Sequence, residues 1–203
     1  MQSLVSRACK RVTLFVAVAA LCVAVPTHAT KAITSSGVGE PNRPLVIAHR
    51  GASGVAPENT MASFEQAVRF GADMIELDVH GSKDGYLIVI HDASTSRTAK
   101  GNCQGAVANL TLVQLKALDV GVWKDSGFAG ERMPTLDEVL AAFKERALFL
   151  IELKARGIEE RVAQVIHEAG MEGRVMLQSF DAESVRIMRG LLPETPAGIL
   201  YRD

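Results

Sequence analysis

Glu76, Asp78, Glu152, His49 and His91 each stand at or beside the end of a short apolar run, which is where an α/β barrel keeps its reactive side chains. The segment Met74-Ile75-Glu76-Leu77-Asp78-Val79 alternates with period two. A strand there places Glu76 and Asp78 on one face, with Ile75, Leu77 and Val79 packing on the other. The donors are oxygens only, with no cysteine or clustered His-x-x-x-His beside them, so a hard divalent cation, Ca²⁺ or Mg²⁺, is expected in preference to Zn²⁺. Two imidazoles and an acidic cation site suit metal-assisted cleavage of a phosphodiester.

The neighbours of these five extend the pattern. His49-Arg50-Gly51 sets an imidazole beside a guanidinium that can clamp phosphate oxygens with paired donors. Lys154, two residues after Glu152, shares its face on a strand and could neutralise a phosphoryl oxygen. The alternative is a buried charge network in which the acids pair with Arg50 and Lys154, a costly use of charge unless it serves a site. His80 falls on the Glu76 and Asp78 face by spacing, but it precedes the Gly81 turn and reads as a rim residue. Glu58 and Asn59 could orient the His49 loop, although helix capping alone would explain Asn59. His28 and His167 carry no signal.

Strand-like and helix-like segments alternate along the chain. Leu45 to Ala48 leads into His49, and Asn59-Thr60 caps a helix with Phe64, Ala67 and Val68 on its buried stripe and Gly71 at its end. The turn signal Ser82-Lys83-Asp84-Gly85 separates the Glu76 strand from Tyr86 to Ile90, which folds back or continues as a further strand and delivers His91. Thr111 to Gln114 and Thr135 to Glu138 both match the capping box and should open helices. Leu148 to Lys154, Val175 to Phe180 and Ala197 to Tyr201 read as strands; helices with stripes at Ile158, Val162, Val165, Ile166 and Ala169, and at Val185 and Met188, lie between them. Such alternation predicts an α/β fold with a largely parallel sheet, helices outside and strands within. Six strands are expected, against eight in a closed barrel.

Residues 1–29 read as an export signal: Arg7, Lys10 and Arg11, then the apolar run from Val12 to Val25, then Thr27-His28-Ala29 before Thr30. The run is shorter than a spanning helix needs, so no stable membrane anchor is expected, and the protein is expected to be periplasmic or secreted. Residues 30–43 read as a mobile leader, and 44–203 as one globular domain. Setting the signal aside turns 22 basic and 23 acidic residues into 19 and 23, a net charge of −4. No basic run remains, and nucleic-acid binding is not expected. Cys9 and Cys22 fall within the signal, leaving Cys103 alone, so no intramolecular disulfide is expected.

Taken as an ordered set, His49-Arg50-Gly51, Pro57-Glu58-Asn59-Thr60, Glu76-Leu77-Asp78-Val79, Lys83-Asp84-Gly85, His91-Asp92, Pro134-Thr135-Leu136, Ile151-Glu152-Leu153-Lys154 and Gln178-Ser179-Phe180 resemble the glycerophosphodiester phosphodiesterase family from about Pro44 to Asp203. The resemblance implies a TIM-type (β/α) barrel related to phosphatidylinositol phospholipase C, with its last two strand–helix units missing. It also implies hydrolysis of a small glycerophosphodiester to glycerol 3-phosphate and an alcohol. Glu76, Asp78 and Glu152 match the metal ligands, His49 and His91 the catalytic acid/base pair; Arg50 and Lys154 would stabilise phosphoryl charge. We read His49 as base and His91 as acid, with water or the neighbouring glycerol hydroxyl as first nucleophile. Competing readings are a truncated, inactive or merely binding product and a phosphodiesterase acting on intact lipid, for which Trp123 and Phe128 are the candidate membrane-facing residues.

Overall fold

The computed structural model describes residues 33–34, 37–38 and 43–202. The export segment, with Cys9 and Cys22, lies outside the described residues, as does most of the leader. Within the leader, β1 (Ile33–Thr34) and β2 (Gly37–Val38) form a small antiparallel ladder. Cys103 is exposed. Among the described residues no helix is long and apolar enough to cross a membrane.

The described residues then form strand–helix repeats of the TIM-barrel type. β3 (Ile47–Ala48) leads through α1 (Met61–Arg69) to β4 (Met74–Gly81), followed by β5 (Leu87–Val89). An insert containing α2 (Leu112–Lys116) separates β5 from α3 (Leu136–Phe143) and β6 (Phe149–Leu153). α4 (Glu159–Ala169), β7 (Val175–Ser179), α5 (Ala182–Leu191) and β8 (Ala197–Ile199) complete the described chain. The sheet order is β3-β4-β6-β7-β8, every pair parallel.

The six expected strands of the sheet are present, but only five are parallel. β5 pairs antiparallel with β4, because Gly85 takes φ +85° and the Ser82 amide bonds to the Tyr86 carbonyl, closing the chain back on itself. The first strand is shorter than the apolar run suggested: only Ile47 and Ala48 pair with β4, at Met74 and Ile75.

Helix starts follow the caps. Thr60 with Ser63, Thr111 with Gln114 and Thr135 with Glu138 each form a reciprocal capping box, and Asp181 caps α5. Gly170, at φ +64°, ends α4. The second of these helices runs only five residues.

Burial divides the sheet into two faces. Ile75, Leu77 and Val79 of β4, Phe149, Ile151 and Leu153 of β6 and Val175 and Leu177 of β7 join Phe64, Leu136, Val139, Leu140, Val162, Ile166 and Met188 from the helices in the main core. The opposite, inner face carries Met74 and Leu148 packed with Leu150 and Met176 at its base, and the acids above them. The insert has a core of its own, in which Ile88 and Ile90 pack with Ala99, Val107, Leu115, Leu118, Val120 and Met133.

Candidate active site

The register between β4 and β6 sets Asp78 directly beside Glu152, with Glu76 one inward position below. Their ligand oxygens lie within 4.8 Å of one another, and Glu76, Asp78 and Glu152 are 3%, 1% and 7% exposed. Burial, then the charges of Asp78 and Glu152, push the Glu76 carboxyl up to about 8. Asp78 Oδ1 is buried with no hydrogen-bond partner among the described residues. Three crowded carboxylates, one with an unsatisfied oxygen, form a site that could hold a divalent cation.

The cations foreseen from the sequence stand beside this triad. Lys154 Nζ donates to Glu152 Oε1 at 2.8 Å and lies 3.6 Å from Asp78 Oδ1. Arg50 Nε lies 3.5 Å from Asp78 Oδ2. The charge network posed as an alternative is therefore present, yet it leaves both Arg50 Nε and Asp78 Oδ1 without a hydrogen bond. Pairing alone does not complete the site.

Arg50 reaches this position through a left-handed turn. Its φ is +57°, followed by +75° at Gly51, a conformation unfavourable for arginine and held by specific bonds. The Arg50 amide donates to Glu76 Oε2 at 2.8 Å, and the Arg50 carbonyl accepts from the Asn59 amide and from Ser63 Oγ. A Cβ on Gly51 would sit 2.8 Å from the Ser63 carbonyl carbon. Gly51→Ala should therefore weaken the protein by roughly 1–3 kcal/mol and loosen cation binding by drawing the Arg50 amide away from Glu76. Urea unfolding and titration calorimetry will read both effects.

Asn59 does not cap α1; Thr60 does. Asn59, at φ +55°, instead donates through Nδ2 to Asp78 Oδ2 at 2.8 Å. Its side chain thus orients a triad member, where the sequence suggested the His49 loop or the helix start. Glu58 accepts from Arg50 Nη1 at 2.9 Å.

The antiparallel course of β5 decides where His91 arrives. The Ile90 amide bonds to the Asp78 carbonyl, so His91 follows at the level of the acids. Its Nδ1 lies 2.6 Å from Asp92 Oδ1. His80, read as a rim residue, is buried, with Nε2 3.1 Å from the His91 carbonyl; burial lowers its proton affinity. His49 is exposed just after β3, its carbonyl accepting from Ser53 Oγ at 2.8 Å.

Arg97 was not singled out by sequence reasoning. Its guanidinium bonds both Asp92 and Glu58. Hydrogen bonding to Arg97, then to His91, holds Asp92 well below the usual carboxylate range; burial would raise Glu58, but its bonds to Arg97 and Arg50 hold it low. Beside the triad, Glu152, Lys154, Arg156, Phe180, Tyr201 and Arg202 line a cleft of about 560 Å³. Trp123 and Phe128 are half-buried, and the Trp123 indole N–H donates to the Val120 carbonyl.

The sequence model of the Glycerophosphoryl diester phosphodiesterase family matches residues 49–203. YhdW of Bacillus subtilis is 45% identical over 161 residues, which are 77% of this chain and 65% of that protein. A glycerophosphodiester phosphodiesterase of Caldanaerobacter subterraneus is 44% identical over 164 residues, 78% of this chain and 67% of its own. The crystal structure of an Oleispira antarctica phosphodiesterase in complex with the product sn-glycerol-3-phosphate superposes with a TM-score of 0.69 at 35% identity, covering 77% of this chain and 65% of that one. The chain thus spans about two thirds of the length of the relatives it matches.

Proposed function

Because the chain belongs to the glycerophosphoryl diester phosphodiesterase family, we propose that it hydrolyses small glycerophosphodiesters to glycerol 3-phosphate and an alcohol. The observation that carries this reading is the buried triad of Glu76, Asp78 and Glu152, with an unbonded Asp78 oxygen and a histidine-bearing loop held beside it. These three carboxylates would hold a divalent cation, Ca²⁺ or Mg²⁺, whose charge and Lewis acidity act on the phosphoryl group.

His49 accepts the proton of the attacking hydroxyl, whether of water or of the neighbouring glycerol carbon. His91 gives a proton to the departing alcohol oxygen as its bond to phosphorus breaks. The Asp92 carboxylate at Nδ1 leaves His91 Nε2 free to face the substrate. Arg50 and Lys154, the cations nearest the triad, offset the negative charge that builds on the phosphoryl oxygens. One water is consumed in the net reaction. The half-buried state of Trp123 and Phe128 supports a soluble diester over an intact lipid. The basic start and apolar run before Thr30 support action outside the cytoplasm.

The test is release of glycerol 3-phosphate from glycerophosphocholine by the chain from Thr30 to Asp203. Turnover is expected with Ca²⁺ or Mg²⁺ and none with excess chelator. Folded, cation-binding protein that releases nothing under either metal would reduce the reading to binding alone.

A further inference from the structure

We infer that Arg97 is a positioning residue that sets the His91 imidazole and the Arg50 guanidinium at once, by bridging Asp92 and Glu58. The inference rests on the phosphodiesterase reading above and names a residue outside the acidic triad and the histidine pair. Its geometry is a double fork. Arg97 Nε and Nη2 donate to the two oxygens of Asp92 at 2.7 and 3.1 Å, while Nη1 and Nη2 donate to the two oxygens of Glu58 at 2.8 Å each. Glu58 Oε1 also accepts from Arg50 Nη1 at 2.9 Å, and Asp92 Oδ1 lies 2.6 Å from His91 Nδ1. A continuous bonded path therefore runs from Arg50 through Glu58, Arg97 and Asp92 to His91, joining the loop after β3 to the loop after β5.

Partly exposed ion pairs contribute little to stability, so the value of this one lies in shape. A guanidinium is planar with five donors, and it fixes two carboxylates in one plane. An ammonium cannot make both forks. Arg97 is in turn held by the insert: the Thr95 amide bonds to the Gly105 carbonyl, the Ala99 amide to the Thr95 carbonyl, and Lys100 and Asp119 exchange backbone bonds. Thr95, Thr98 and Ala99 are buried. The same insert makes a second tie, from Lys124 Nζ to the Ser53 carbonyl at 2.8 Å, and Ser53 Oγ bonds the His49 carbonyl. The insert with its separate core acts as the frame on which both histidine loops are aligned.

The consequence for His91 is a choice of tautomer. With Nδ1 donating to Asp92, Nε2 is the nitrogen that carries the acid's proton in the imidazolium and is bare once the ring is neutral, and this holds only while Asp92 is itself fixed. The experiment compares wild type with Arg97→Met and Arg97→Lys, each as the Thr30 to Asp203 chain. Side-chain ¹⁵N NMR at a pH where the ring is neutral reads the His91 tautomer, and glycerol 3-phosphate release reads kcat and KM. Wild type should show mainly the Nδ1–H form. Arg97→Met should show a mixture, with kcat down roughly 10²-fold and KM within about threefold; Arg97→Lys, keeping charge without the fork, should recover part of each.

A wild-type tautomer and kcat in Arg97→Met would overturn the inference. If Arg97→Met does not fold, Arg97→Lys decides, since wild-type behaviour there is equally contrary. If the wild type folds but turns over no substrate, the phosphodiesterase reading fails by itself, while the tautomer still tells whether Arg97 positions His91.

Discussion

Glu76→Gln should stabilise the cation-free protein while abolishing cation binding and turnover. The folded Glu76 carboxyl sits at about 8 against an ordinary value of 4.5, because burial and two neighbouring carboxylates oppose its ionisation. The folded state therefore binds a proton that the unfolded chain has released, and stability falls as pH rises from 4.5 to about 8. At pH 7 the cost is of order 3 kcal/mol. Glutamine removes it, so the slope of stability against pH between these limits should flatten, as urea unfolding across that range will show. Divalent cation should raise the wild-type melting temperature and leave Glu76→Gln unmoved. Activity should drop by about 10³-fold or more, since the charge acting on the phosphoryl group is lost. Equal pH slopes in the two proteins would mean that Glu76 does not carry the strain.

His49→Ala divides the site the other way. The carboxylates remain, so cation-induced stabilisation should match wild type, while kcat falls by about 10²–10⁴-fold through loss of the proton acceptor. Calorimetric cation binding and steady-state release of glycerol 3-phosphate, measured on one preparation, separate the two properties. A His49→Ala protein with wild-type kcat would move the base elsewhere, and His80, buried behind the His91 carbonyl, is the first place to look.

Much of this site is written in local patterns. The two faces of β4 follow from alternation, and the helix starts follow from caps whose partners lie three residues apart. The level at which His91 arrives was also within reach. Four turn residues cannot make the crossover of a dozen or more that a parallel partner needs, so β5 had to come back alongside β4. The role of Asn59 was harder to see, because an asparagine before a helix has an ordinary capping use and only its left-handed backbone turns the amide toward Asp78. Arg97 had no signal. Its partner Glu58 is 39 positions away, and no periodicity joins a loop arginine to a glutamate across α1, β4 and β5.

The two-faced strand has a last consequence for how errors are detected. Side chains of β4 alternate between the dry helix-facing core and the acidic inner face, so a slip of one residue against β6 would drive Glu76 and Asp78 among Phe149, Ile151 and the α3 side chains and turn Leu77 to the inner face. Such a chain would have neither a core nor a cation site. Proofreading of the fold and assembly of the cation site are thus one event, and a cation titration of freshly refolded protein counts the correctly registered molecules.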